Sequence, residues 1–273
     1  MDKIVSQIGL IAGKSEFPII FAKAARAKGI KIIAVAIEGE TKEELADFVD
    51  KFYWVKLGEL GKLLDIFKSE GISKAVMAGG VTKSRIFKEA LKIDGVMSKI
   101  LSLALDKKDE TLLSMIMLKL KSAGIELLNS SLFLEDLLPS EGQLTSVTPS
   151  QSQREDIKFG FPIAKTISGL DVGLSIAVKD KVVIAVEAIE GTDEMIRRAG
   201  KSAGPGITVI KVARPNQDMR FDLPVIGPMT IDSMIEAKAG CIAIESGKTL
   251  VLELAETVSL ANDNNISIIS LKK

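Results

Sequence analysis

Histidine is absent from this chain, and cysteine, tryptophan and tyrosine each occur once in 273 residues. Without an imidazole, Ser-His-Asp and Cys-His nucleophilic systems, His-liganded zinc and imidazole general bases are excluded. A single thiol, Cys241, excludes an internal disulfide, and its setting in A-G-C-I-A-I reads as a buried core thiol in a reducing compartment. Charge of one sign is lacking too: Lys plus Arg and Asp plus Glu are each 36, so no global field recruits nucleic acid. No uncharged apolar run approaches the ~18 residues of a membrane span. At the N-terminus Asp2 offsets Lys3 and Gln7 interrupts the apolar stretch, which suits a buried strand better than a signal peptide. These absences lead us to expect a cytoplasmic protein with no nucleic-acid partner, whose contact with a membrane, if any, is peripheral.

What remains for chemistry is carboxylates, lysines, hydroxyls, Tyr53 and Cys241. Carboxylates with Mg²⁺ are the usual apparatus of phosphoryl chemistry, where positioning and charge neutralisation matter more than proton transfer. With 47% apolar residues, a chain of this length can bury a core in each of two domains.

The first half alternates short apolar runs with amphipathic stretches: residues 4–12 then 17–28, 31–37, 52–57 then 60–69, and 74–78 followed by a helical pattern from Lys83 onward. Such β-α alternation predicts a parallel sheet covered by helices, a Rossmann-like unit. Helical patterns follow at 96–105 and 111–122, with Asp109 as the expected N-cap of the latter. Residues 139–156 are rich in Ser, Thr, Gln, Pro and Gly and read as a linker. The expected organisation is therefore an N-terminal Rossmann-like domain over 1–138, a linker over 139–156 and a C-terminal α/β domain over 157–273.

Three groups of residues carry candidate chemistry. G-L-I-A-G13-K-S15 has three residues between its glycines, so it is neither a Walker A loop nor a G-x-G-x-x-G fingerprint. Two readings of it stay open: a Gly-rich strand-to-helix turn serving only close packing, or backbone N–H donation from Gly13, Lys14 and Ser15 to a phosphate or sugar at a helix N-terminus. A-G79-G80-V-T82-K repeats the pattern at a later strand end, and the two ends together outline a crevice at the sheet's carboxyl edge. The second group, E187-A-I-E190-G-T192-D193-E, follows a strand-like run, where carboxylates are placed to hold a divalent cation against a phosphate. The third is Lys211 to Gly227, which sets Lys211, Arg214, Gln217, Asp218, Arg220 and Asp222 around two prolines. From these residues alone, a solvated charged loop and a phosphate and metal site are both open readings.

The second and third groups, with G-L-I-A-G, A-G-G-V and K-D-E-T-L-L, resemble the LpxI family of metal-dependent UDP-2,3-diacylglucosamine pyrophosphatases of lipid A synthesis, along nearly the whole chain. The resemblance implies Mg²⁺-dependent hydrolysis, with Mn²⁺ as an alternative ion, by attack of water on the α-phosphorus to give UMP and 2,3-diacylglucosamine 1-phosphate (lipid X). It implies a substrate held by an N-terminal Rossmann-like domain and a C-terminal α/β domain, and puts the essential aspartate of R-x-D-L-P at Asp222. Combining residues and resemblance, the expected metal ligands are Asp222, Glu190 and Asp193, with Glu187 a weaker one. Arg220 and Lys211 are expected to act with Asp222 in catalysis. Gly13, Ser15, Gly79, Gly80, Thr82, Thr192, Arg214 and Gln217 are expected to bind substrate. The chain departs from its relatives at G13-K-S-E-F-P, which lacks a further glycine before the proline, and at Leu174, where a polar residue is common. A non-catalytic nucleotide-sugar or lipid-binding regulator using the same crevice stands as the alternative, while the failed dinucleotide fingerprints disfavour an NAD-dependent oxidoreductase.

Overall fold

The computed structural model describes residues 6–82, 93–106 and 108–272. The helical pattern expected from Lys83 lies outside the described residues. The chain divides into two compact units: residues up to Leu134 together with Met219–Asp222, and Glu135–Asp218 together with Leu223 to the end.

The first unit opens with β1 (Gln7–Ala12), α1 (Phe17–Ala27), β2 (Lys31–Ile37), β3 (Lys51–Val55), α2 (Leu60–Ser69) and β4 (Lys74–Ala78). It continues through α3 (Gly95–Leu103), α4 (Asp109–Ser122) and β5 (Glu126–Leu127). All pairings are parallel and the order is β3-β2-β1-β4-β5. The apolar runs of β1 and β2 are continuous rather than alternating because both faces are covered. Strand order reverses direction between β1 and β4, so the ends of these two strands, at Gly13 and Gly79, lie at the topological switch point. Asp94 starts α3 by accepting from Met97 N at 2.8 Å, and the same carboxylate accepts from Gly61 N. The N-cap of α4 is Lys108, one residue before the expected Asp109. Among the core residues, Phe67, Ile33, Val35, Leu120 and Ile125 pack with Phe221, a residue far along the chain from all of them.

The second unit contains β6 (Gly142–Gln143), α5 (Gln151–Gly169), β7 (Ser175–Lys179), β8 (Val182–Val186), α6 (Thr192–Ala203) and β9 (Thr208–Lys211). Then come β10 (Val225–Ile226), α7 (Pro228–Glu236), β11 (Cys241–Glu245), β12 (Leu250–Val251), α8 (Leu254–Asp263) and β13 (Ser267–Leu271). A mixed six-stranded sheet runs β6-β13-β11-β9-β7-β8, and β10 pairs separately with β12. Side chains alternate faces along each strand. Val209, Ile242 and Ile244 pack with Met195, Ile231 and Met234 of α6 and α7, whereas Ile210, Cys241 and Ala243 pack with Ile157 and Phe161 of α5. Burial pushes the Cys241 thiol up to about 11, so it stays protonated and serves as packing.

Residues 139–156 are not a free connection. Gly142 and Gln143 pair antiparallel with Ser270 and Ile269, and Ser150 begins α5 with a capping box completed by Gln153. A two-residue strand is set by backbone bonds, which leave no hydrophobic period in the sequence, so a polar composition concealed it.

Candidate functional site

The two glycine-bearing strand ends of the first unit meet, but they close on each other. Gly13 N donates to Ala78 O and Lys14 N donates to Gly80 O, each at 2.8 Å. The approach is so close that a Cβ on Gly13 would lie 2.2 Å from Gly80 O, and one on Gly79, at φ +81, would lie 2.3 Å from Lys14 O. Two of the N–H groups expected to face a ligand are thus used between loops, which corrects the open-crevice reading at Gly13. Ser15, at φ +85, accepts from Phe17 N through its hydroxyl at the start of α1. Thr82 donates to the buried Glu40 carboxylate at 2.9 Å. Glycine is required here for backbone contact, whatever the ligand.

The segment after β9 is built by polar side chains. Glu245 accepts from Ala213 N at 2.9 Å and from Lys165 Nζ at 2.9 Å, while Lys165 also donates to Ala213 O at 2.6 Å. Both polar groups of Ala213 are therefore gripped by one ion pair. Burial pushes the Glu245 carboxyl up, but donation from Lys248, Lys165 and Ala213 N outweighs it and leaves the group below the usual carboxylate range. Arg214 is buried and directs its guanidinium to Asp171 at 2.6 Å, with side-chain exposures of 9% and 6%. Breaking such a pair costs about 3–5 kcal/mol because one charge is stranded. Arg214 is thus already committed, and its backbone N–H donates to Gln217 Oε1 while Gln217 Nε2 donates to Asp218 O.

From there the chain enters the first unit for four residues. Ser130 N donates to Met219 O and its hydroxyl to Arg220 O, both at 2.8 Å, and Phe221 is buried in that unit's core. Asp222 follows, exposed and at φ +51, a left-handed conformation that costs a non-glycine residue about 1–2 kcal/mol. The neighbouring Phe221 and Leu223 are both buried.

In the second unit a different set converges. Lys211 ends β9 directly opposite Ser175 of β7, and by strand alternation both point to the face covered by α6. Lys211 is 5% exposed; its Nζ donates to Thr192 Oγ1 at 2.6 Å and to Ser175 Oγ at 3.3 Å. Thr192, the first residue of α6, donates to Glu187 Oε1 at 3.0 Å. Glu187 follows β8, and its N–H donates to Ser175 O. Its other carboxylate oxygen, Oε2, is buried with no hydrogen-bond partner among the described residues. An unsatisfied oxygen of this kind costs about 1–3 kcal/mol. Of the acidic residues in the E-A-I-E-G-T-D stretch, sequence reasoning favoured Glu190 and Asp193, yet Glu187 holds the open position. The only signal was its place one residue past the end of a strand.

Glu190 meets Arg198 at 2.5 Å and Arg198 also holds Val186 O. Burial pushes the Glu190 carboxyl up, but hydrogen bonds from its own N–H and from Arg198 outweigh this and leave it below the usual range. Asp193 lies in the first turn of α6. Among the described residues no three His, Cys, Asp or Glu side chains are grouped to hold a metal ion. Asp222 belongs to one unit and Glu190 and Asp193 to the other.

No helix among the described residues is long and apolar enough to cross a membrane. Comparison with known proteins finds the LpxI N-terminal domain over residues 7–137 and the LpxI C-terminal domain over residues 140–269. A protein of Caulobacter vibrioides, UDP-2,3-diacylglucosamine pyrophosphatase LpxI, is 28% identical over 97% of each chain. Among solved structures, the biotin carboxylase domain of the Hydrogenobacter thermophilus 2-oxoglutarate carboxylase is 12% identical with a TM-score of 0.29. That match covers 74% of this chain and 42% of the other, so the chain spans less than half of that relative. The structure of gox2253 is 11% identical over 97% of this chain and 78% of its own, again at a TM-score of 0.29. At that level of overlap neither bears on fold or activity.

Proposed function

Because the chain belongs to the LpxI family, with both of that family's domains matched in order along it, we propose that it is a UDP-2,3-diacylglucosamine pyrophosphatase of lipid A synthesis. The products are UMP and 2,3-diacylglucosamine 1-phosphate. Water adds to the α-phosphorus, the bond from that phosphorus to the bridging oxygen breaks, and the electron pair leaves with the lipid-bearing phosphate. One water is consumed, and with both product phosphates as dianions two protons are released. The observation that carries the reading is Asp222: it occupies the R-x-D-L-P position and is held in a left-handed conformation between two buried neighbours. Conformations of this kind persist where surrounding packing over-determines them, and they cluster at functional sites.

Lys211 supports the same reading as a buried ammonium suited to charge on a phosphate. Exposed apolar residues Leu103, Leu105 and Leu118 offer first-unit surface for acyl chains and for peripheral contact with the cytoplasmic face of the inner membrane. Mg²⁺ dependence belongs to the proposal through family likeness, and no step above runs through the ion.

The test is UMP release by the wild type and by Asp222→Ala with Mg²⁺ present. The variant should lose turnover by orders of magnitude, about 10³-fold, while staying folded; substantial retained activity would sink the assignment. Wild-type binding of the substrate with no UMP formed under any divalent ion would instead favour a non-catalytic binding protein. Chelation followed by restoration with Mg²⁺ or Mn²⁺ tests the ion separately.

A further inference from the structure

We propose that Glu187 is a ligand-facing residue of a subsite in the second unit, built for a phosphate ester of a hydroxyl-bearing sugar. Its Oε2 accepts from a sugar hydroxyl while Lys211 Nζ donates to a phosphate oxygen. The inference deepens the function proposed above and rests on it for the choice of probes.

The geometry begins with charges that do not pair directly. Lys211 and Glu187 lie beside the same serine, one opposite Ser175 on the neighbouring strand and the other donating its N–H to Ser175 O. A purely structural arrangement would join ammonium to carboxylate. Here the Thr192 hydroxyl stands between them, accepting from Nζ and donating to Oε1. An ammonium carries three donors, and the two hydroxyls of Thr192 and Ser175 take two of them. The third has no protein acceptor, and no carboxylate lies within salt-bridge distance of Nζ among the described residues. Each charged group therefore keeps one direction open, a donor on Lys211 and an acceptor on Glu187 Oε2.

The place of Glu187 is fixed by backbone rather than by chance rotation of a surface side chain. A Cβ on Gly173 would lie 2.1 Å from Glu187 O, so the chain at 173 passes against Glu187 as only glycine permits. Thr192 is the first residue of α6, whose N-terminal end adds positive potential beside Nζ. An anion is favoured there, and a carboxylate oxygen a few bonds away requires a donor. A phosphate ester whose ring carries a free hydroxyl supplies both.

Titration calorimetry on the full-length protein tests this with UMP, 2′,3′-dideoxyuridine monophosphate, glucosamine 1-phosphate and inorganic phosphate as probes. The variants are E187Q, which keeps the shape but turns the acceptor into a donor, E187A and K211M. We expect E187Q and E187A to weaken one of the two hydroxyl-bearing esters about tenfold or more. Inorganic phosphate should bind both as it binds the wild type, and K211M should lose it. If UMP is the ester affected, the dideoxy analogue should bind wild type and E187Q alike; if glucosamine 1-phosphate is affected, the sugar is the hexose. Unchanged binding of both esters in the Glu187 variants would mean that Oε2 holds only a water. Equal weakening of esters and inorganic phosphate would mean a structural role, and failure of every probe to bind the wild type would remove the subsite; each overturns the proposal. UMP release by the same preparations separates the two readings, since an active wild type with unaltered E187Q binding fails this inference alone.

Discussion

At the carboxyl ends of β1 and β4 in the first unit, Gly13 and Lys14 donate their N–H groups to Ala78 and Gly80, and Thr82 donates to Glu40. At the end of β9 in the second unit, the buried Lys211 and the half-buried Glu187 lie beside two hydroxyls, and each retains an unmet hydrogen-bonding capacity among the described residues. Both places look alike in sequence, a strand end followed by polar or glycine residues near a helix start. They differ in whether the polar groups satisfy each other. A closed set contributes to folding and offers a ligand little, whereas an open set costs stability in the free protein and recovers it on binding.

Breaking the open set should have the largest effect. Lys211→Met removes the buried ammonium and keeps the length of the side chain. UMP release should fall about 10²–10³-fold, with the variant still folded at the assay temperature by circular dichroism. If turnover survives, the leftover donor has no chemical use and the contrast between the two strand ends collapses.

Breaking the closed set should cost folding. In Gly13→Ala the new methyl would meet Gly80 O at 2.2 Å, and backbone on both sides cannot yield as a flexible side chain would. Denaturant unfolding should show a loss of about 1–3 kcal/mol, the usual cost of forcing extra volume into a packed site. An unchanged midpoint would mean that the two loops part easily and that their N–H groups are open to a ligand after all.

The fold was largely readable from period and punctuation. The β-α alternation of residues 7–78 predicts the parallel sheet, and the glycines at 13 and 79 mark two strand ends at its carboxyl edge, which only the strand order places at the switch point. The pieces that escaped are those whose cause lies far along the chain. Phe221 reads as one aromatic in a charged stretch, yet it is buried among residues of the first unit, and Ser130 holds the backbone on either side of Arg220. The partner of Arg214, Asp171, is 43 positions away and no local pattern announces it. Glu187 and Glu190 are indistinguishable by composition. Only packing reveals that one has Arg198 against it and the other an empty oxygen.

That last distinction predicts the smallest effect. The Glu190–Arg198 pair is partly solvent-exposed, with side-chain exposures of 27% and 50%. Exposed pairs of this kind contribute less than about 1 kcal/mol. Glu190→Gln should therefore shift stability by less than that and leave UMP release within about fivefold of wild type. The pH dependence gives an internal check. The Glu190 carboxyl lies below the usual range, so whatever it contributes is present above the ordinary carboxylate pKa and is lost as pH falls through its lowered value. Glutamine does not titrate, so the wild-type advantage measured at neutral pH should shrink to nothing in acid. A loss of turnover by orders of magnitude would reverse the assignment: Glu190 would then act on the ion or the substrate, and Arg198 would only hold it in the free protein.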